Sequence, residues 1–380
     1  QGNIDKNTSP FLLGNYRIEN ILPGGSEDMI DVSGAPNKKL RWEKTHSVNA
    51  GFDFAVLNQA INLSVDYYYR KGVDLIGTQM LPLETGFEML TVNWASMRNQ
   101  GVEVALSTRN VHTKNFMWTT NFNFAYNNNK VLKEALREDA LEPGREGYPA
   151  GALFALKTAG LDEEGYPMFQ DKDGKAVSAM EFFKLQEWGF GATDLTARER
   201  RELYTYVGTA DCPYTGGFNN TFTYKAFELG VNFSFDFGGK VRSQPTYSIV
   251  DFDKGRNTNR DILNRWTPEN TETIFPVLLS QNERLDEYMW YSNQNEIYRN
   301  LDIWIRDLNY VRLQNIRLGY TLPTNFSRTL GMTSATVAIE GRNLLVFGSS
   351  YKNYLDPETM SNAYATPAPK SVTLSLNLIF

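Results

Sequence analysis

Residues that could perform covalent or metal chemistry are few in this sequence. The chain of 380 residues has one cysteine, Cys212, and two histidines, His46 and His112. A lone cysteine excludes an intrachain disulfide and a cysteine-based zinc site, and two histidines argue against a multi-histidine metal centre. No nucleophile motif and no phosphate-binding glycine loop occurs. The sequence therefore predicts a protein that is not an enzyme.

Acidic segments are the remaining candidates for a metal site. Asp171-Lys-Asp-Gly174 resembles a calcium loop, but its glycine follows the second aspartate directly, so we interpret the segment as a tight turn. Asp162-Glu163-Glu164 and the acidic residues between 134 and 142 are interpreted as solvated loop charges. We predict no metal and no cofactor, with a calcium ion bound in a loop as the alternative.

Aromatic side chains outside the regular patterns offer a different chemistry, which is stacking and hydrogen bonding with a ligand. They could bind a sugar or a peptide, contact a partner protein, or pack the loops. Our candidates for contact with substrate or partner are Trp188, Tyr204, Tyr206, Tyr288, Trp290 and Tyr291. Phe190 and Tyr298 belong to the same group, as does Trp304, which could instead join an aromatic belt at a membrane interface.

Composition narrows the class of protein that carries these residues. The net charge of −6 argues against nucleic-acid binding, which needs a basic surface. No window holds the roughly 18 apolar residues of a membrane-spanning helix, and the mean hydropathy is −0.43. Such a value is compatible with a transmembrane barrel, because only alternate residues of its strands face lipid. An aromatic content of 13% suits many half-exposed strands.

The elements that would hold the loops are indicated by alternation of apolar and polar residues. Phe52 and Phe54, for example, alternate with Asp53 and Ala55, as in a strand with two different faces. The same period predicts nine strands, at 44–57, 60–71, 98–109, 115–127, 215–225, 226–238, 307–322, 333–344 and 370–380. Most have the roughly 9–11 residues that a tilted strand needs to cross a bilayer.

The connections between these strands alternate in length. The links after the second, fourth, sixth and eighth strands hold roughly 25, 85, 70 and 25 residues, whereas the others are short, which is the pattern of long extracellular loops and short periplasmic turns. We therefore predict an all-β fold, an antiparallel transmembrane β-barrel, with its C-terminus on the periplasmic side. Short helices are expected in the long loops, at 178–188, 196–206 and 259–266, the second from the capping box Thr196-Ala-Arg-Glu199.

The predicted strands divide the chain into two regions. Residues 1–43 are interpreted as an extracellular loop and lead-in, and 44–380 as the C-terminal portion of the barrel, with large extracellular loops at about 128–214 and 239–306. An odd-numbered open sheet has two unpaired edges, which lipid does not tolerate. We therefore expect the first strands of the barrel to be absent from this chain.

Motifs in a fixed order along nearly the whole chain resemble the SusC/RagA-type TonB-dependent transporters of Bacteroidota outer membranes. They are Leu40-Arg-Trp-Glu-Lys-Thr45, Asp66-Tyr-Tyr-Tyr-Arg-Lys71, Met97-Arg-Asn-Gln-Gly-Val-Glu-Val104, Tyr214-Thr-Gly-Gly-Phe-Asn-Asn-Thr-Phe222, Asn264-Arg-Trp-Thr-Pro268, Tyr310-Val-Arg-Leu-Gln-Asn-Ile-Arg-Leu-Gly-Tyr-Thr-Leu-Pro323, Gly341-Arg-Asn-Leu-Leu345 and Asp356-Pro357.

This resemblance implies a multi-pass outer-membrane barrel of 22 strands, of which this chain supplies the C-terminal nine or so. It implies a plug domain, absent here, through which TonB energises transport, and a SusD/RagB-like surface lipoprotein as partner. The implied function is uptake of oligosaccharides or oligopeptides. Phe380, with Leu378 and Leu376 before it, resembles the C-terminal signal read by the barrel-assembly machinery. Its alternative role is that of an aromatic at the membrane interface.

Two other functions fit the same residues. A soluble β-rich module for carbohydrate binding or adhesion would bury its apolar strand faces against each other instead of in lipid. A TonB-dependent siderophore receptor would share the barrel and differ in its cargo.

Overall fold

The computed structural model describes residues 11–22, 25–32, 34–245, 247–250, 260–280, 282–293, 296–329, 331–348, 356–359 and 365–380. No helix among these residues is long and apolar enough to cross a membrane.

Strands dominate the chain from its first described segments. A hairpin and four long strands are β1 (Gly14–Leu22), β2 (Gly25–Val32), β3 (Lys44–Val56), β4 (Ile61–Met80), β5 (Met89–His112) and β6 (Phe116–Lys133), with a 3-10 helix at Leu83–Thr85. The first long loop then carries β7 (Ala152–Leu156), β8 (Thr158–Leu161), β9 (Pro167–Gln170), β10 (Ala176–Val177), α1 (Ala179–Phe182), α2 (Ala197–Glu202) and β11 (Tyr204–Thr209).

The second half repeats this arrangement of strands and loops. A second hairpin and a second long loop comprise β12 (Tyr214–Tyr224), β13 (Phe227–Arg242), α3 (Leu285–Asn293), α4 (Glu296–Arg299) and 3-10 helices at Arg260–Asn264 and Asp302–Trp304. The remaining elements are β14 (Ile305–Thr321), α5 (Thr324–Thr329), β15 (Ser334–Phe347) and β16 (Ser371–Ile379).

Nine of these strands form one antiparallel sheet. Its order is β16-β15-β14-β13-β12-β6-β5-β4-β3, so that each strand pairs with the next one along the chain once the strands of the first long loop are set aside. These are the nine strands predicted from alternation, and the prediction of an antiparallel barrel wall is confirmed. Among the described residues, β3 and β16 form the two edges of this sheet.

Left-handed residues close two of the short hairpins. Leu57, Asn58 and Gln59 have φ between 52° and 61° in the link from β3 to β4, and Lys225 has φ 52° between β12 and β13. Such turns match the twist of the flanking strands. They fix the register so that one residue type stays on each face of the sheet.

Parts of the strand pattern were missed in the sequence. Strands β4 and β5 continue beyond the predicted segments and pair as far as Met80 with Met89, past an irregularity between Gly72 and Leu75. Hairpin β1–β2 lies inside the region interpreted as a loop and lead-in.

The two long loops fold onto each other. We call the described residues within 134–213 and 243–304 the loop module. Their association includes a backbone hydrogen bond from Leu156 N to Asn300 O of 2.8 Å and one from Thr158 Oγ1 to Asp302 Oδ1 of 2.6 Å. Apolar side chains from both loops share one buried core. The module is therefore a packed unit rather than two separate loops.

The helices predicted in these loops are shorter than expected. The capping box is confirmed, with Thr196 capping α2 and Glu199 returning the bond, but the chain from Tyr204 onward forms β11 and pairs with β7. Ser178 caps the N-terminus of α1, which ends after a single turn at Phe182; Lys184, just beyond it, adopts φ 47°, which does not continue a right-handed helix. The segment predicted at 259–266 is a 3-10 helix over the described residues Arg260–Asn264. Helices α3, α4 and α5 were not predicted from the sequence.

Candidate functional site

One face of the nine-stranded sheet is apolar across its full width. Strand pairing aligns a single row of large side chains on eight neighbouring strands: Phe54, Leu63, Leu106, Phe122, Phe218, Phe233, Leu313 and Leu345. Phe54 and Leu345 are exposed, at 46% and 49%, five of the others are partly exposed, and Leu313 is 7% exposed. An exposed apolar surface of this extent marks an interaction with lipid or protein.

Aromatic belts bound this apolar face at both ends. Tyr67, Tyr126, Tyr214 and Phe237 share one cross-strand row, and Phe116, Tyr224, Phe227 and Tyr320 share the other. The 11 residues of β12 separate the belts. At about 3.3 Å per residue they span roughly 33 Å, which a tilt of about 40° reduces to roughly 25 Å, the height of the apolar band of outer-membrane barrels.

The opposite face of the sheet is rich in amides. A row formed by Asn62, Ser107, Asn121, Asn219, Asn232 and Asn315 crosses six strands in continuous register. Except for Asn315, the row lines a concavity of about 550 Å³ together with Asp53, Ser64 and Asn123 and with neighbouring apolar residues that include Phe54, Phe122 and Phe218. The small residues Ala105 and Gly217 leave this space open. A Cβ at Gly217 would lie 2.6 Å from the Phe233 carbonyl oxygen, so a larger residue does not fit there without a shift of the backbone. Amide groups both donate and accept, so this surface suits sugar hydroxyls and peptide groups alike.

A buried charge network stands on the same polar face. Arg312 lies opposite Ser234, and its side chain is 2% exposed. The guanidinium donates to Asp356, and through Nε to Glu358 Oε1 at 2.8 Å. The Tyr310 hydroxyl lies 2.5 Å from Asp236 Oδ2 and 3.2 Å from Glu358 Oε1. These contacts hold residues 356–359, from the connection between β15 and β16, against the sheet.

Sequence reasoning did not identify this network. Arg312 appeared only within a family motif, as did Asp356. The available signal was an arginine between the apolar residues Val311 and Leu313, and the register shift between Leu313 and Asn315 separates it from the alternation of the rest of the strand. A buried cation needs an anionic partner.

The aromatic candidates divide into buried and accessible residues. Trp290 and Tyr291 are 3% and 1% exposed and belong to the core of the loop module, which corrects their assignment to ligand or partner contact. Trp304, 1% exposed, packs against Tyr298 and Phe275 and is not part of a membrane belt.

Four candidates remain partly accessible. Trp188 is 73% exposed at the tip of a turn held by a hydrogen bond from its backbone N–H to Asp286 Oδ2 of 2.7 Å. Tyr206 contacts Tyr148, with ring centroids 4.8 Å apart. Tyr204 and Tyr288 pack at the edge of the core. Their contact with substrate or partner stays a prediction.

The acidic segments have structural roles. Asp171 Oδ1 accepts the backbone N–H groups of Asp173 and Lys175 at 3.0 and 2.7 Å, which confirms the tight turn. Asp162 is not merely solvated, because Arg284 donates to it at 2.9 Å. No cluster of metal-binding side chains occurs among the described residues.

The terminal strand lies at the sheet edge. Leu376 and Leu378 pair with Val337 and Ala335 of β15, and Phe380 follows with 82% of its surface exposed. Their role as an assembly signal stays a prediction.

Comparison with known proteins relates this architecture to a family. The chain is 27% identical over 372 residues to TonB-dependent receptor P3 of Formosa agariphila, with 90% of the chain and 35% of that protein covered. It is 26% identical over 365 residues to TonB-dependent receptor SusC of Bacteroides thetaiotaomicron, with 90% and 32% covered. The chain thus spans about a third of the length of these relatives. No family model matches it.

Solved structures agree on the fold. The RagAB peptide transporter aligns with 98% of this chain at a TM-score of 0.72 and 23% identity, and 38% of that chain is covered. The RagAB peptide importer in its open-open state aligns with 100% at a TM-score of 0.73 and 22% identity, with 39% covered. These likenesses confirm the resemblance carried by the motifs: the chain is similar to the SusC/RagA-type TonB-dependent transporters and has the fold of part of the RagA-type β-barrel.

Proposed function

We propose that this chain is part of an outer-membrane nutrient importer that takes up oligosaccharides or oligopeptides in a TonB-dependent manner. The observation that carries the proposal is the two-faced sheet, apolar between two aromatic belts on one side and lined on the other by a row of five asparagines and Ser107. Such a wall separates lipid from a polar passage. The passage would bind cargo by hydrogen bonds and perform no covalent chemistry.

The orientation follows from the loops. The loop module leaves the sheet at the end marked by Tyr126 and Tyr214, so this end would be extracellular and the short hairpins periplasmic. On this arrangement β16 runs toward the periplasm and Phe380 lies at the periplasmic rim. The sheet edges at β3 and β16 would pair with strands from the rest of the barrel, since unpaired backbone groups are costly in lipid.

The partners proposed here come from the relatives. A SusD/RagB-like lipoprotein would meet the extracellular loops, and TonB would act on a plug domain outside this chain. The relative RagAB is described as a peptide importer, and an amide-lined wall is compatible with peptide cargo as well as with glycans. Iron chelates are the alternative class of cargo, in which case the protein would be a siderophore receptor.

Uptake assays test the proposal. A deletion strain complemented with the full-length gene should recover growth on one class of cargo, offered separately as glycans, peptides or iron chelates. The double variant Asn219→Leu and Asn232→Leu should lower uptake, whereas Phe218→Leu on the apolar face should not. Recovery on iron chelates alone would favour the siderophore receptor, and a full-length protein that stays folded and soluble without detergent would refute the barrel.

A further inference from the structure

A row of basic side chains crosses four strands of the sheet near the end that carries the long loops. Strand pairing places His46 opposite Lys71, Lys71 opposite Arg98, and Arg98 opposite Lys130. The pairing is continuous from these residues to the aromatic belt at Tyr67, without an intervening register shift. We call the four residues the basic row.

The basic row lies on the same face as the apolar surface of the sheet. Lys130 and Phe122 are eight positions apart on β6, and residues an even number of positions apart along an unbroken strand share a face. Lys71 and Leu63 on β4 are likewise eight positions apart. The basic row is therefore on the outer side of the wall, the side proposed to meet lipid.

The height of the row relative to the membrane follows from the geometry of the strands. Lys71 lies four positions beyond Tyr67 of the aromatic belt, which is roughly 13 Å along a strand and roughly 10 Å along the membrane normal at a tilt of about 40°. The polar headgroup layer on each side of the hydrocarbon core is roughly 5–8 Å deep. Long basic side chains extend their charges toward an interface, so the row reaches this layer from just above it.

The lysine and arginine charges of the row are not neutralised within the described part of the chain. The side chains of Lys71, Arg98 and Lys130 make no ion pair and no hydrogen bond there. Lys130 is exposed, and Lys71 and Arg98 are half-buried. Asp74, three positions beyond Lys71, instead accepts two other cations at 2.5 and 3.2 Å.

The arrangement of these charges is unfavourable without an external anion. Lys71 and Lys130 each lie directly opposite Arg98, and like charges at such positions, with Cβ atoms about 4.5–5.5 Å apart, destabilise a sheet. Asp66 and Glu103 of the same strands pair with each other on the opposite face, because each is adjacent to a residue of the belt row. An anion that binds from the outer side would offset the repulsion.

A ligand for the basic row must carry negative charge and be accessible at the membrane interface. Ammonium and guanidinium groups are the side chains with which proteins bind phosphate. A lipid that packs its chains on the apolar band brings its headgroup to these cations, which favours a lipid over a soluble acidic protein. We propose that the basic row binds the phosphate groups of lipid headgroups in the outer leaflet of the membrane. The inference rests on the proposed function for the membrane location and for the extracellular orientation of this end.

Native mass spectrometry of the purified full-length protein in a neutral detergent tests this site apart from transport. The probes are dimyristoyl phosphatidic acid and dimyristoylglycerol, which have the same chains and differ in the phosphate, together with inorganic phosphate. We expect phosphatidic acid to bind at least about tenfold more tightly than the diacylglycerol. An equal concentration of inorganic phosphate should not displace it, because the free ion lacks the chains that pack on the apolar band.

Neutral variants localise the binding. Lys71→Gln and Arg98→Gln should each weaken the binding of phosphatidic acid by about 5-fold, the contribution of one basic residue near an anionic surface. Lys71→Arg keeps the charge and should keep the binding. The matched control is Arg70→Gln, because Arg70 is exposed and adjacent to Lys71 but points to the opposite face, so the affinity should change by less than about 2-fold.

Three results would overturn the inference. One is equal binding of phosphatidic acid and the diacylglycerol, or binding of neither lipid. Another is displacement of phosphatidic acid by an equal concentration of inorganic phosphate, which would indicate a site for free anions. The third is unchanged affinity in Lys71→Gln and Arg98→Gln, or an equal loss in Arg70→Gln. Any of these with cargo uptake intact in the complemented strain would refute the lipid site and leave the importer proposal standing.

Discussion

The charge network around Arg312 predicts that Asp356 and Glu358 differ sharply in importance. Asp356 is 6% exposed at its side chain, binds the Arg312 guanidinium, and accepts the backbone N–H groups of Glu358 and Ala368 at 3.0 and 3.2 Å. Glu358 also pairs with Arg312, at 2.8 Å, but its side chain is 42% exposed. The two carboxylates therefore share one cation in very different surroundings.

The magnitude follows from this difference in burial. Removing one partner of a fully buried ion pair costs about 3–5 kcal/mol. In Asp356→Asn one acceptor oxygen remains and Arg312 keeps its pair with Glu358. We therefore expect the free energy of local unfolding of this segment to fall by about 2–3 kcal/mol. In Glu358→Gln the lost pair was largely screened by solvent, so the expected cost is under about 1 kcal/mol.

Hydrogen exchange of the full-length protein in detergent measures this local loss. The backbone amides of Glu358 and Ala368 donate to the Asp356 carboxylate, so their exchange rates report how often these hydrogen bonds open. Asp356→Asn should accelerate their exchange by roughly 30- to 150-fold and Glu358→Gln by less than about 5-fold, since about 1.4 kcal/mol corresponds to a factor of ten. Amides within the paired part of β15, such as that of Ile339, provide the internal control. Equal acceleration in both variants, or none in Asp356→Asn, would refute the reasoning.

Three further predictions concern other parts of the chain. Phe122→Arg on the apolar face should lower the unfolding free energy in lipid vesicles by about 2–4 kcal/mol, whereas Asn121→Arg on the polar face should lower it by less than about 1 kcal/mol; similar values would contradict the assignment of faces. Thr196→Ala removes the capping-box bond from the Glu199 amide to the Thr196 hydroxyl, leaves the bond from the Thr196 backbone N–H to Glu199, and should destabilise α2 by about 1 kcal/mol, visible as faster exchange of the Glu199 amide. Burial raises the pKa of Glu287, so the folded state favours its protonated form. The stability that this protonated form contributes is complete at low pH and is lost as pH rises through the raised pKa, so the unfolding free energy should fall over that pH range. Glu287→Gln should remove this fall from the pH dependence of unfolding. An unchanged pH dependence would exclude Glu287 as its source.

The sheet could be predicted from the sequence because its determinants are local and periodic. Residues two apart along each strand, such as Phe122 and Phe124, share one face regardless of what lies elsewhere in the chain. The capping box at Thr196 is equally local, since both of its hydrogen bonds join residues three apart. Predictions of this kind fix the element and its orientation, although they underestimated the length of β4 and β5.

The interior of the loop module could not be predicted in this way. Trp290 looks like a surface aromatic in its own segment, and it is buried because the first long loop covers it. Phe183, more than a hundred positions earlier in the sequence, lies with its ring centroid 5.1 Å from that of Trp290. A pairing of this kind depends on how two long loops meet, which has no short-range signal.

Long-range ion pairs hold the two halves of the loop module together. Arg284 joins α3 to Asp162 and Glu164 of the other loop at 2.9 Å each, and its guanidinium lies 3.7 Å from the centre of the Tyr166 ring. Without such contacts, a loop of this length would lose much conformational entropy when it bound the proposed cargo or partner. Because the ordering is already complete in the folded chain, contacts at accessible positions such as Trp188 can contribute to affinity with little further loss. Charge reversal at Arg284 should therefore weaken binding of the proposed lipoprotein partner even though Arg284 need not touch it.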